Sequence, residues 1–158
     1  MKGFLICLFI TVPCFLFGSR VFAQTADRIE WLLRQNRVNY GEAALLTLEA
    51  SGRLDPASQT RPEAAFNLAM ENGWLPKGAQ AANEARLSGL SLLVMRAFDI
   101  KGGALFALFK NPHYAYRALV YRGIIRGRAD PAMFVSGDLL LYTVNKAMDQ
   151  YGTGSNEK

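Results

Sequence analysis

The side chains that could support catalysis are few and scattered. His113 is the only histidine among 158 residues, so a histidine-dependent triad or metal site would have to include it. It follows Pro112 at a predicted helix start, where a surface or capping role is typical. Cys7 and Cys14 both lie in an N-terminal apolar run. The glycine pair at 102–103 lacks the following Lys-Ser/Thr that a phosphate loop requires.

The acidic side chains form no evident catalytic pair. Glycan cleavage would need two positioned carboxylates, but the acidic residues are spread along the chain and most fit helix caps or solvated faces. We therefore expect no enzymatic activity, no metal and no other cofactor. An enzyme of unknown type is a third hypothesis, which a pocket containing two close carboxylates would favour.

Basic side chains form the strongest local charge feature. Five of them fall within 19 residues: Lys110, Arg117, Arg122, Arg126 and Arg128. Such clusters are usually solvated faces. The functional alternative is a docking surface for an acidic glycan, a phospholipid head group or an acidic partner. In that case Arg122, Arg126 and Arg128, together with Asp130, would form the ligand-contact face.

Aromatic side chains offer further contact residues. Trp74 could stack on a sugar ring, although its place after a helix-ending glycine favours a packing role. The very apolar segment 104–109 is either a buried short helix, which we favour, or an exposed patch for a partner or a membrane surface. In the second case, Phe106 and Phe109 would contact the partner.

The N-terminus has the composition of a signal peptide. Lys2 supplies the positive start, residues 3–18 are almost all apolar, and residues 21–23, Val-Phe-Ala, fit a cleavage site. We predict a cleaved signal peptide at 1–23 and a location in the periplasm or at the cell surface. An uncleaved anchor and lipidation at Cys14 are the alternatives.

Cleavage would leave a cysteine-free chain of mild charge. The 18 basic residues fall to 16 without Lys2 and Arg20, against 13 acidic ones, which gives a net charge of +3. This value is too small to indicate nucleic acid binding. Since no disulfide or thiolate is available, the fold must be stabilised by its apolar core alone.

Start and stop signals divide the mature chain into helices joined by short loops. A first amphipathic helix is predicted at 26–35, and a polar, disordered tail at 152–158. Later helix starts are predicted at Asn39, Thr60, Ser88, Asn111 and Ser136. Helix ends are predicted at Gly52, Gly73 and Gly123.

An imperfect internal repeat organises these helices. A shift of 50 residues aligns 65–99 with 115–149 without gaps, and the identities fall on helix terminators and core-facing positions. Residues 38–50 align with the second half of this unit, and 26–35 would be a shortened first half. We therefore predict an all-α fold at 24–151, with three helical-hairpin units packed in a roughly threefold bundle.

This pattern resembles the S-layer homology domain, a helical module with three tandem motifs. The resemblance rests on residues 114–127, in which Gly123-Ile124 ends a helix, followed by Asp130, Phe134 and Ser136. It covers most of the mature chain and implies a three-unit helical fold. It also implies binding of cell-wall polysaccharide, the ligand of that family.

The tetrads that contribute to polysaccharide binding in that family are not conserved here. A Thr-Arg-Ala-Glu tetrad opens the second helix of each family motif, and the corresponding positions are 39–42, 88–91 and 136–139. Each keeps a cap residue, none keeps the Arg, and the Glu survives only as Glu42. The resemblance therefore implies a retained fold with altered ligand chemistry, and leaves Glu42 as a ligand contact.

Two functional hypotheses follow from these patterns. The first is a non-catalytic, exported protein that binds or organises cell-wall glycan or other envelope components. The alternative is a protein-interaction subunit of a periplasmic or outer-membrane assembly, which predicts that Phe106 and Phe109 are exposed. The sequence leaves the oligomeric state open.

Overall fold

A computed structural model describes residues 18–109, 111–126 and 129–152, and this part is all-α, as predicted. It contains no strand, and none of its helices is long and apolar enough to cross a membrane. Most of the predicted signal peptide and residues 153–158 of the predicted tail lie outside the described residues. The helices are α1 (Gly18–Leu33), α2 (Tyr40–Ala50), α3 (Pro62–Glu71), α4 (Leu87–Ala97), α5 (Ala104–Phe109), α6 (Pro112–Tyr121) and α7 (Gly137–Tyr151).

Three buried residues are joined in a closed ring of backbone hydrogen bonds. The N–H of Val38 donates to the carbonyl of Val135 at 2.9 Å, and the N–H of Val135 donates to Ala85 at 2.9 Å. The N–H of Ala85 closes the ring on Val38 at 2.8 Å. None of the three residues is more than 2% exposed. Because α2, α4 and α7 each begin two residues after a ring residue, the ring fixes three helix starts side by side.

The first amides of these three helices are also bonded across the chain. A first-turn amide has no acceptor inside its own helix, so its partner must come from elsewhere. Here the acceptors are carbonyls of segments that lie far away in sequence. The donor–acceptor pairs are Tyr40 with Asn83, Leu87 with Met133, and Gly137 with Gln35, at 2.9–3.0 Å.

Several helix ends are formed as the sequence predicts. The side chains of Asn39, Asn111 and Ser136 each accept a hydrogen bond from a first-turn backbone amide. Gly73 and Gly123 follow the last turns of α3 and α6 with φ of 66° and 71°. These left-handed conformations favour glycine because other residues pay a steric cost there.

Two predicted cap residues are wrong. Thr60 does not cap α3, which begins after Arg61, and Ser88 does not cap α4, which begins after Arg86. Neither arginine provides a side-chain cap. Ser88 lies inside the first turn of α4, and its N–H donates to the carbonyl of Pro131 at 2.9 Å. Bonding across the chain therefore replaces the local cap at this helix start.

Helix packing joins helices of successive repeats. The most extensive contacts are those of α2 with α3 and of α4 with α6, and α7 contacts α1. The two helices of one sequence repeat, α3 and α4, are not a closely packed pair. Each repeat therefore packs mainly against a neighbouring repeat. The fully buried leucines that fill the core include Leu32, Leu48, Leu90, Leu119 and Leu140.

We expect the ring amides to exchange with solvent only when the whole domain unfolds. In native-state hydrogen exchange followed by NMR, the opening free energies of the amides of Val38, Ala85 and Val135 should all equal the free energy of global unfolding. The reason is that each amide is buried and hydrogen-bonded. The amides of Ala57 and Ala132 donate to side chains in exposed loops and should exchange orders of magnitude faster. Ring amides that exchange as fast as these controls would contradict the expectation.

The left-handed glycines give a second test. Gly73→Ala and Gly123→Ala should each lower the free energy of unfolding by about 1–2 kcal/mol through backbone strain. A Cβ at either position would meet nothing within 4 Å, so no steric clash adds to this cost. Gly103→Ala is the control, because Gly103 also has open space but lacks the left-handed φ. Denaturant titrations that show equal stability for all three variants would refute this account.

Candidate functional site

A cleft of about 440 Å³ lies beside α1 and α2 and contains Glu42, one of the predicted ligand contacts. We call it the Glu42 cleft. Glu42, Leu45 and Glu49 of α2 are spaced by three and four residues and therefore share one helix face. The remaining lining comes from α1 and from the segment that leads into α3: Arg28, Trp31, Pro56, Gln59, Thr60, Arg61 and Pro62.

A close backbone approach holds α1 in place at this cleft. The N–H of Gly137, at the start of α7, donates to the carbonyl of Gln35 at 2.9 Å. A Cβ at Gly137 would lie only 1.7 Å from the carbonyl oxygen of Leu32, so only glycine allows this approach. Leu32 itself is fully buried. Arg28 and Trp31, three residues apart on the anchored α1, both line the cleft.

One side of the cleft is fixed by an ion pair. The guanidinium of Arg28 donates two hydrogen bonds to the carboxylate of Glu49, from Nη1 to Oε1 at 3.1 Å and from Nη2 to Oε2. These hydrogen bonds raise the pKa of Arg28 above its ordinary value, against the opposing effect of burial. Two parallel bonds of this kind hold both partners in one orientation. Both oxygens of Glu49 are therefore engaged inside the protein.

The carboxyl of Glu42 differs from that of Glu49. Its side-chain oxygens make no hydrogen bond with any residue that the structure describes. Burial raises the pKa of Glu42 above its usual range, Arg28 opposes this rise, and the negative charges of Glu63 and Glu49 add to it. A half-buried carboxyl without a partner can accept or donate hydrogen bonds to a ligand. Glu42 is therefore the group in the cleft most suited to ligand contact.

Three neighbouring side chains complete the surface that a ligand would meet. Trp31 is 46% exposed and presents a large aromatic ring. Arg61 is exposed, and its side chain makes no hydrogen bond or ion pair within the described part of the chain. Gln59 has a φ of 50°, a strained conformation of the kind that clusters at functional sites. An aromatic ring flanked by planar polar groups suits a polar ligand with an apolar face.

Two carboxyl groups therefore line one cleft, which is the arrangement that the enzyme hypothesis required. Glu42 and Glu49 are seven residues apart on α2, a rise of about 10 Å along the helix axis. Acid–base catalysis would need both groups to reach the reacting atoms. Because Arg28 engages both oxygens of Glu49, Glu42 is the carboxyl of this pair that a ligand could contact.

Trp74 lies outside this cleft and packs against the core. The backbone N–H of Trp74 donates to the carbonyl of Ala69 at 2.9 Å, as expected for the residue after a helix-ending glycine. The guanidinium of Arg53 lies over its ring, 5.4 Å from the centroid. These contacts agree with the packing role.

The predicted basic contact face is engaged in internal contacts. Arg122 donates one hydrogen bond to the hydroxyl of Tyr151 at 2.5 Å and another to the carbonyl of Lys101. Arg126 donates from Nε to the hydroxyl of Tyr142 at 2.7 Å, and its guanidinium also lies over that ring. Both arginines therefore tie segments of this chain together.

The other two members of that face do not extend it. Asp130 accepts a hydrogen bond from the backbone N–H of Ala132 at 2.8 Å, a local turn contact. Arg128 lies outside the described residues. Of the predicted ligand contacts within the described residues, Glu42 is the one that lines either the Glu42 cleft or a second cleft beside the backbone ring.

The predicted partner contacts in α5 differ in exposure. Phe106 is only 6% exposed, so the expectation that it contacts a partner is wrong. Phe109 is 58% exposed and Leu108 is 73% exposed. The burial that we favoured for segment 104–109 therefore holds at Phe106 and fails at the end of the helix, because one short turn cannot bury all its sides.

A second cleft, of about 570 Å³, lies beside the backbone ring. The ring of Phe134 lies between two guanidinium groups, those of Arg37 at 4.3 Å and Arg86 at 4.9 Å from its centroid. Arg37 also pairs with Glu84 at 2.9 Å, and Arg86 donates to the carbonyl of Ala132 at 2.8 Å. Both arginines therefore have partners within the chain.

We did not predict Arg28, Trp31 or Arg61 as site residues from the sequence. A usable signal existed for Trp31, because a tryptophan on the polar side of an amphipathic helix has no reason to be buried. No local signal marks Arg61, whose place beside Glu42 depends on the packing of α3 against α2.

Comparisons with known proteins identify no match for this chain. No family model, no curated protein and no solved structure matches the chain. Within residues 18–109, 111–126 and 129–152, no group of three or more His, Cys, Asp or Glu side chains could hold a metal ion.

The raised pKa of Glu42 predicts a pH dependence of stability. The folded protein holds this proton at pH values where the unfolded chain has lost it, so the stability contributed by the group falls as pH rises through that interval. Relative to Glu42→Gln, the wild type should lose stability as pH rises above the ordinary pKa of glutamate, about 4.3. The loss should stay below about 1 kcal/mol, because solvent screens a half-buried group.

Thermal or denaturant unfolding across this pH range measures the effect. Glu71→Gln is the matched control, because Glu71 is exposed on α3 and should produce no such trend. A wild-type stability that rises with pH relative to Glu42→Gln would show that the Glu42 pKa is lowered instead.

Proposed function

We propose that this protein is a non-catalytic, exported module of the bacterial cell envelope that binds wall glycan in the Glu42 cleft. The observation that carries the proposal is the juxtaposition around one opening of the exposed Trp31 ring, the unengaged Glu42 carboxyl and the Arg61 guanidinium. These groups come from three separate segments of the chain.

The chemistry of the cleft favours a sugar over other ligands. A sugar ring has an apolar C–H face that stacks on an aromatic ring, and its rim of hydroxyl groups both donates and accepts hydrogen bonds. Trp31 offers the ring. The Glu42 carboxyl, whose oxygens make no hydrogen bond within the described residues, can accept hydrogen bonds from sugar hydroxyl groups. Arg61 adds a cationic donor for an acetamido oxygen or a carboxylate of the glycan.

Export is supported by the N-terminal sequence. The positive start, the apolar run and the small-residue site at 21–23 predict a signal peptide and a location in the periplasm or at the cell surface. A chain without cysteine after residue 23 suits such a compartment, since no free thiol is open to oxidation.

We also propose a three-unit arrangement similar to the S-layer homology domain. Two observations support it: the closed hydrogen-bond ring of Val38, Ala85 and Val135, and the packing of helices from successive repeats. The ring residues are 47 and 50 residues apart, close to the repeat length. In this arrangement the Glu42 cleft lies beside the second helix of the first unit.

The alternative role as a protein-interaction subunit has lost one of its two predicted contacts, because Phe106 is buried. Phe109 remains exposed. Binding in the Glu42 cleft does not depend on Phe109.

Retention on purified peptidoglycan sacculi tests the proposed function. The wild type should sediment with the sacculi, and Trp31→Ala, Glu42→Gln and Arg61→Ala should each weaken retention by about tenfold, a loss of about 1.4 kcal/mol of binding free energy. Arg34→Ala and Glu71→Gln are the matched controls, since both residues are exposed and absent from the cleft lining. Both controls should bind as the wild type does.

Other outcomes would overturn parts of the proposal. If the wild type is not retained, glycan binding is wrong. If Arg126→Glu abolishes retention while the cleft variants keep it, the ligand contacts lie at Arg126 and not in the cleft. Release of soluble glycan fragments by the wild type, absent in Glu42→Gln, would show that the protein is an enzyme.

A further inference from the structure

A second surface has a different chemistry from the Glu42 cleft. It consists of the exposed end of α5, Leu108 and Phe109, and of Tyr114, Arg117 and Tyr121 on α6. We call it the α5–α6 patch. Leu108 is 73% exposed, Phe109 58% and Tyr121 93%, which makes this the most exposed apolar area within the described residues. An exposed apolar patch on a small protein usually marks an interaction site.

The patch is held in shape by its own packing. Phe106, on the inner side of α5, is buried, and the guanidinium of Arg96 lies 5.4 Å from its ring centroid. Phe109 stacks on Tyr114 with the ring centroids 5.8 Å apart and the planes inclined by 27°. The outward side chains of α5 are therefore presented by an anchored turn.

The face of α6 continues this pattern. Tyr114, Arg117 and Tyr121 are spaced by three and four residues, so they form one stripe along the helix. Arg117 and Tyr121 are exposed, and Tyr114 is half-buried. Tyrosine and arginine side chains combine an apolar body with a polar tip, the combination that suits the boundary between lipid and water.

The charge around the patch indicates its partner. No Asp or Glu occurs from Ile100 to Ala129, whereas this stretch contains six Lys and Arg residues. Of these, Lys101 and Arg117 are exposed near the patch. Exposed apolar side chains beside cationic side chains complement a surface that is negatively charged and apolar beneath, as an anionic bilayer is.

We propose that the α5–α6 patch docks on the surface of a membrane containing anionic lipid. Leu108 and Phe109 enter the boundary between head groups and acyl chains, and Tyr114 and Tyr121 lie at head-group level. Lys101 and Arg117 neutralise lipid phosphates. The proposal is independent of glycan binding, since it uses none of the residues of the Glu42 cleft.

Flotation with lipid vesicles tests the proposal. The protein should float with vesicles of phosphatidylglycerol and phosphatidylcholine and should bind at least about tenfold less to phosphatidylcholine alone. Leu108→Ser/Phe109→Ser should reduce the partition coefficient by at least about tenfold. Lys101→Glu/Arg117→Glu should reduce it similarly, and 0.5 M salt should weaken the wild type.

The control is Leu33→Ser, which replaces a leucine that is 52% exposed on α1, beside the ion pair of Glu30 and Arg34. It should bind as the wild type does. The wild type and all variants carry the same N-terminus, so a difference in vesicle binding between them reports the contribution of the patch. Unchanged melting temperatures of the variants confirm that the fold is intact.

A site-specific reporter keeps the test decisive if a variant folds poorly. Phe109→Trp should be quenched by brominated lipid more strongly than Leu33→Trp, after subtraction of the wild-type signal from Trp31 and Trp74. Equal quenching at the two positions, or equal flotation of wild type and Leu108→Ser/Phe109→Ser, would overturn the proposal. So would crosslinking of Phe109 to an envelope protein without any flotation.

Discussion

The backbone ring of Val38, Ala85 and Val135 is the constraint on which the rest of the structure depends. Its three donors and three acceptors are almost fully buried, so water cannot replace a broken bond. An unsatisfied buried amide or carbonyl costs about 1–3 kcal/mol. Moving one ring residue would also displace the helix that begins two residues later. The three helix starts are therefore locked to one another, although they are widely separated in sequence.

The Glu42 cleft is a consequence of this arrangement. The ring fixes the start of α7 next to the start of α2, and Gly137 lets the backbone of α1 pass within contact distance of α7. Packing of α3 against α2 then brings Arg61 to the same opening. Trp31, Glu42 and Arg61 meet because three separate packing contacts are satisfied together. None of them is placed by its neighbours in sequence.

The two proposed surfaces divide the chemistry of the molecule between them. The Glu42 cleft contains two carboxyl groups beside an aromatic ring, and suits a polar, sugar-like ligand. The α5–α6 patch belongs to the stretch from Ile100 to Ala129, which contains no acidic residue. It suits the anionic, apolar boundary of a membrane. A module with both surfaces could contact wall glycan and a membrane at once, which is the situation of a protein in the cell envelope.

The sequence alone determined what depends on local forces. The all-α class, the caps at Asn39 and Ser136 and the left-handed Gly73 were predictable, because each depends on a few adjacent residues. Tertiary structure decided the rest: α4 begins after Arg86, since distant carbonyls bond its first amides, and Glu42 meets Trp31 only through helix packing. The 50-residue shift aligns Arg86 with the cap residue Ser136, so the repeat did contain a signal for the start of α4. Contacts between distant segments depend on the summed fit of many side chains, and no local pattern records that fit.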